Sequence, residues 1–121
     1  MANLHRFGPP PEGALPPQQV RFIELRAEPL ADGRKLRVYI QLTPFLENPD
    51  LEISITSDGE EEISHASIIG TAEDRFVLTM HLRVPEIPER LKLAASVAYQ
   101  EVGIVDSRSL DIEFPAPSQS E

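Results

Sequence analysis

Three histidines (His5, His65 and His81) and 20 carboxylates are the side chains able to hold a metal or move a proton, and cysteine is absent. His65 and His81 make the sequence's one case for a metal site. If the strands that carry them paired, the two imidazoles would meet across the ladder with Glu62 or Asp74 as a third ligand. Zinc sites need three or four ligands at fixed spacing, and no such spacing occurs here, so the histidines are read as solvated and no metal is assigned. The acidic run from Asp58 to Glu62 lacks the alternate-position ligands of a calcium loop, and a tight hairpin has little room to wrap an ion. Ser64 and His65 are adjacent, so on a strand they diverge to opposite faces and make no nucleophile–base pair. There is no Gly-x-Ser-x-Gly elbow and no phosphate-cradling glycine loop. The expectation is a protein that is not an enzyme, with no catalytic residue and no cofactor.

Any such groups must be positioned by one small domain. The chain has 121 residues, 40% of them apolar, enough to fill a single core. Tryptophan is absent, so that core rests on Leu, Ile, Val and Ala. Without cysteine there are no disulfides, which suits a reducing compartment. The N-terminus breaks at once into Pro9-Pro10-Pro11 without the apolar stretch of a secretory leader, and no apolar run approaches the roughly 20 residues of a membrane span. The expected address is the cytoplasm. A net charge of −9, from 11 basic and 20 acidic residues, repels phosphate backbones and anionic lipid, so neither nucleic acid nor membrane is an expected partner.

Residues 1–19 hold five of the twelve prolines and read as an extended, Pro-rich segment, with Leu4, Phe7 and Leu15 available to dock locally. Residues 115–121 read as a flexible tail, leaving 20–114 as the folded body. There the apolar period is two. Leu36, Val38, Ile40 and Leu42 share one face of their segment; Leu51, Ile53 and Ile55 share another. Phe76, Leu78, Met80 and Leu82 follow the same rule, as do Leu91, Leu93, Ala95, Val97 and Tyr99. A helix would scatter these residues around its surface. Three further stretches carry weaker rhythm: Val20–Glu28, with the mixed faces of a kinked or bulged edge strand; Glu62–Ile69; and Ser107–Phe114, with Arg108, Leu110, Ile112 and Phe114 on one face. Asp32-Gly33 and Asp58-Gly59 signal tight turns, Pro85 and Pro88 belong to a connection, and Gly103 marks the last turn.

About seven short strands separated by such turns predict an all-β fold, a two-sheet antiparallel sandwich burying two apolar faces against each other. Over about 95 residues this pattern resembles the immunoglobulin-like and fibronectin type III-like sandwiches. The likeness is one of pattern: the Cys pair and core Trp of antibody domains are missing, and Tyr99 lies late in its strand, away from a tyrosine-corner position. It implies architecture only, and a jelly roll or small barrel would also satisfy the alternation. In the immunoglobulin arrangement the fourth strand neighbours the fifth, which would put His65 beside His81.

The resemblance also groups two connections at one end. Residues 43–49 contribute Phe45 and Leu46, and residues 100–106 contribute Val102, Ile104 and Val105, more apolar surface than a plain turn needs. They either cap the core, with Phe7 or Leu15 lying over them, or form a contact site. A second candidate surface is the outer face of the sixth strand, with Lys92, Ala94, Ser96, Ala98 and Gln100, flanked by Glu52, Ser54 and Thr56 and by Ser107, Ser109 and Asp111. A flat, weakly charged face of small side chains can pair with its own copy about a two-fold axis.

The leading expectation is therefore a non-catalytic module that binds a protein partner, or itself, through this tip or this face. The alternative is an accessory ligand-binding domain of carbohydrate type, for which only Tyr39 offers an outward aromatic ring. A metal-dependent enzyme using His65 and His81 comes third.

Overall fold

The computed structural model describes residues 12–57 and 61–113. Seven strands follow a short 3-10 turn at Pro17–Gln19: β1 (Phe22–Pro29), β2 (Lys35–Leu42), β3 (Asp50–Ser57), β4 (Glu62–Ile68), β5 (Arg75–His81), β6 (Arg90–Tyr99) and β7 (Gly103–Glu113). They form two antiparallel sheets, ordered β1-β2-β5 and β4-β3-β6-β7. The expected Asp58-Gly59 turn, His5, Phe7, the Pro9–Pro11 run and Phe114 lie outside the described residues.

Alternation makes these strands, and burial of one face of each sheet holds them together. Leu36, Val38, Ile40 and Leu42 from β2 meet Leu51, Ile53 and Ile55 from β3 and Leu91, Leu93, Ala95 and Val97 from β6 in one continuous core. Nearly all are sealed from water, which contributes about 1.5–3 kcal/mol for each large aliphatic side chain. Phe76 and Leu78 are only partly buried, because β5 is an edge strand without a neighbour to cover them from the side.

Two irregularities explain the weak rhythm of the edge strands. The β1–β2 register shifts between Phe22 and Glu24, leaving Ile23 as an inserted residue that is half exposed. The β3–β4 register shifts between Ile55 and Thr56, and the inserted Ile63 turns inward. A third shift, between Val97 and Ala98, lets Val105 pack against the core while Ile104 faces out beside Ala98.

The fourth strand corrects the expectation drawn from the immunoglobulin pattern. β4 pairs with β3, not with β5, so His65 and His81 lie on different sheets. The last turn is also tighter than expected. It occupies residues 100–102, and Gly103, at φ +91°, already pairs with Tyr99, so Ile104, Val105 and Asp106 are strand residues. Glycine adopts that backbone conformation without a Cβ penalty.

The seam between β1 and β7 is closed by polar groups. The Phe22 amide donates to Asp106 Oδ2 at 2.9 Å, and the Arg108 guanidinium donates to the carbonyl of Phe22 at 2.7 Å and to that of Ile23 at 3.4 Å. Arg108 thus satisfies backbone groups beside the β1 bulge, a use of the expected inward position that the apolar pattern does not reveal.

Candidate functional site

The outer face of the β4-β3-β6-β7 sheet is laid out in rows by the register. Ser67, Glu52, Ser96 and Ser107 form one row; His65, Ser54, Ala94 and Ser109 form the next; Glu62, Thr56, Lys92 and Asp111 form the third. Beyond the first row, Asp50, Ala98 and Ile104 share a fourth. Small side chains on β6 keep the middle of the face low, while Glu52 and His65 stand higher on one side. The result is a shallow groove of about 300 Å³, floored by Ala94 and Ser96 and flanked by Glu52, Ser54, His65, Ser107 and Ser109. That volume lies at the lower end of small-molecule sites, which run from roughly 300 to 1,000 Å³.

The charged side of the groove is a connected cluster. His65 Nε2 lies 2.6 Å from Glu52 Oε1, and Ser67 Oγ donates to the same oxygen at 2.8 Å. His65 Nδ1 lies 3.6 Å from Glu62 Oε2. Hydrogen bonding by Ser67, and then by His65, holds the Glu52 carboxyl below its ordinary range, so it is a carboxylate at neutral pH. Oε2 of Glu52 has no partner among the described residues. Ser67, His65 and Glu52 are not in the order of a catalytic triad. Serine and carboxylate both approach the same imidazole nitrogen, and the serine proton is directed at the carboxylate itself. What the arrangement offers is an ionised acceptor beside several hydroxyls, a set suited to hydrogen-bonded recognition.

His65 and His81 both line a second groove, of about 380 Å³, at the seam between β4 and β5, together with Ile63, Thr79, Met80 and Arg83. Asp74 does not join them there, and among the described residues no group of three His, Cys, Asp or Glu is placed to hold a metal ion.

The apolar tip divides. Phe45 is 1% exposed and belongs to the core, and Val105 packs against that core. Leu15 bridges Phe45 in parallel fashion: its amide donates to the Pro44 carbonyl, and its own carbonyl accepts from the Leu46 amide, both at 2.9 Å. Part of the Pro-rich segment is therefore a strap laid over this end of the sandwich. Leu46, Val102 and Ile104 remain exposed, Ile104 at 68%. Tyr39, the outward aromatic, lies on the other sheet, where Arg26 stacks 3.9 Å above its ring and its hydroxyl donates to Glu28.

Of the residues singled out from sequence, Ala94, Ser96 and Ala98 share the outer face as expected, with Glu52, Ser54, Ser107 and Ser109 around them. The Glu52–His65–Ser67 cluster went unforeseen. Its local signal, His65 and Ser67 on one face of a strand, acquires meaning only through the β3–β4 pairing.

No helix among the described residues is long and apolar enough to cross a membrane. No family model and no curated protein matches the chain. Solved structures do share its architecture. A β-glucuronidase from Ruminococcus gnavus in complex with D-glucuronic acid superposes with a TM-score of 0.52 at 12% identity, over 83% of this chain and 17% of that one. A glycosyl hydrolase family 2 member from Bacteroides cellulosilyticus DSM 14838 superposes with a TM-score of 0.55, also at 12% identity, over 78% of this chain and 15% of its own. At that identity the likeness is one of fold: a two-sheet β-sandwich, spanning about a sixth of each of these longer proteins.

Proposed function

We propose that the chain is a non-catalytic accessory module that binds carbohydrate on the outer face of the β4-β3-β6-β7 sheet. The observation that carries this reading is the hydroxyl-rich groove over Ala94 and Ser96, with Glu52 ionised at its side. Sugar hydroxyls need both donors and acceptors. Ser54, Ser96, Ser107 and Ser109 supply both, and Glu52 supplies a strong acceptor. The occurrence of the same architecture within two glycosidase chains supports the reading. Among the described residues the rows of this face carry no Phe, Tyr or Trp side chain, so recognition there would rest on hydrogen bonds.

The test is a glycan array followed by titration of the best binders against the wild type and Ser96→Arg. The substitution points outward and fills the groove. Binding that survives it unchanged refutes this assignment.

A second reading, contact with a protein partner, is favoured by the exposure of Leu46, Val102 and Ile104 at one end of the sandwich. Leu46→Ser combined with Ile104→Ser tests it, since both side chains are accessible. If the recovered partners and the oligomeric state do not change, the tip is not the contact. Phe45 is unsuitable as a probe because its replacement would open the core.

A further inference from the structure

We propose that the groove selects glycans bearing free amines and turns away uronic acids, an inference that rests on the carbohydrate reading above. Charge, and the few cations available to offset it, set this selectivity. Outward on this face stand Asp50, Glu52, Glu62 and Asp111, against Lys92 as the one Lys or Arg in the same rows. His65 is shared between Glu52 and Glu62, so even a protonated imidazole leaves that trio with a net negative charge. Arg108 borders the groove, but its guanidinium is committed to the Phe22 and Ile23 carbonyls on the far side of the seam.

A uronate carboxylate would therefore enter beside Glu52 without an arginine fork to receive it, and like charges so placed repel. An ammonium group meets the opposite situation. Glu52 Oε1 is fixed by His65 and Ser67, while Oε2 has no partner among the described residues and can accept a charge-assisted hydrogen bond. Ser54, Ser96 and Ser107 stand in the same or the adjacent row to receive the ring hydroxyls. The overall charge of −9 favours the encounter of the same class of ligand.

Calorimetric titration of the full chain with four probes decides the matter: β-1,4-linked tetramers of glucosamine and of glucose, a galacturonic acid tetramer, and spermine, all at mildly acidic pH and low salt. The glucosamine tetramer should bind at least about tenfold more tightly than the glucose tetramer, the range expected of one hydrogen bond to a charged group. Galacturonate should not bind. Glu52→Gln, at an exposed position, should bring the ratio of glucosamine-tetramer to glucose-tetramer affinity, both measured on that variant, close to one. Equal binding of the glucose and glucosamine tetramers, or any preference for galacturonate, overturns the charge selection and leaves the carbohydrate assignment standing. Spermine binding as tightly as the glucosamine tetramer also overturns it, since the face would then be reading charge alone. If no glycan binds, both inferences fall.

Discussion

The hydroxyl of Tyr99 donates to the backbone carbonyl of Glu47 at 2.8 Å, tying the end of β6 to the connection between β2 and β3, 52 residues upstream. This is the same end of the sandwich where Leu15 crosses Phe45. The bond anchors one of the connections that pass between the two sheets to the end of β6. Tyr99→Phe should therefore lower stability by about 1 kcal/mol, the usual net worth of such a bond, and leave the groove face untouched. Urea denaturation should show a lower midpoint with an unchanged slope. An unchanged midpoint would mean that the hydroxyl contributes nothing there.

Val38 and Val97 are fully buried on opposite sheets of the shared core. Val38→Asp and Val97→Asp each place an unpaired charge in that interior and should cost more than about 4 kcal/mol, a large part of the stability of a domain this size. Val77→Asp, on the outer side of β5 where the residue is half exposed, should change stability by less than about 0.5 kcal/mol. Thermal melts of the three variants provide the comparison. Equal behaviour would mean that the inward faces are misassigned.

Arg108→Met keeps much of the aliphatic bulk but removes both donors to the β1 carbonyls. The expected cost is about 1–3 kcal/mol, the range for an arginine hydrogen bond to backbone. Hydrogen exchange should locate it: the Phe22 amide, bonded to Asp106, and its β1 neighbours should lose protection more than the centre of β3 does. Loosening spread evenly over all strands would argue against a local clip.

Glu52 is held below the ordinary carboxylate range by Ser67 and His65. A carboxyl whose folded-state pKa is depressed adds stability above its unfolded value, about 4.3, and that contribution is lost as pH falls through the folded value. Half exposed, it makes only a small contribution, so the measurement should be direct. Carbon-detected titration of the Glu52 carboxyl should give a value below those of exposed glutamates, and Ser67→Ala should raise it. A Glu52 that titrates with the other surface glutamates in both proteins would mean that the cluster does not form in solution.

The core was legible in the sequence where strands are central. β2, β3 and β6 have neighbours on both sides, so their inward positions must be apolar without interruption, and the alternation from Leu36 to Leu42 and from Leu91 to Tyr99 shows it. Edge strands are under less constraint. Phe76 and Leu78 follow the rhythm yet are only partly buried, and each of the two edge strands β1 and β4 carries an inserted residue that breaks the period. The choice of sheet for β4 depends on which backbone edge it meets, and side-chain alternation carries no information about that. The small side chains of the groove were readable as a face, because Ala94, Ser96 and Ala98 must point together. The Glu52–His65–Ser67 cluster needed the β3–β4 register.

β1 and β7 lie side by side across the seam and run in the same direction, away from the strapped tip. The chain therefore enters the described sandwich at one pole, by Leu15, and leaves it at the other, by Glu113, about 30 Å away at the rise of an extended strand. Tension applied between those poles would pull β1 and β7 in opposite directions along their own axes. The ladder bonds that hold them would be strained together, in shear, instead of being unzipped one after another.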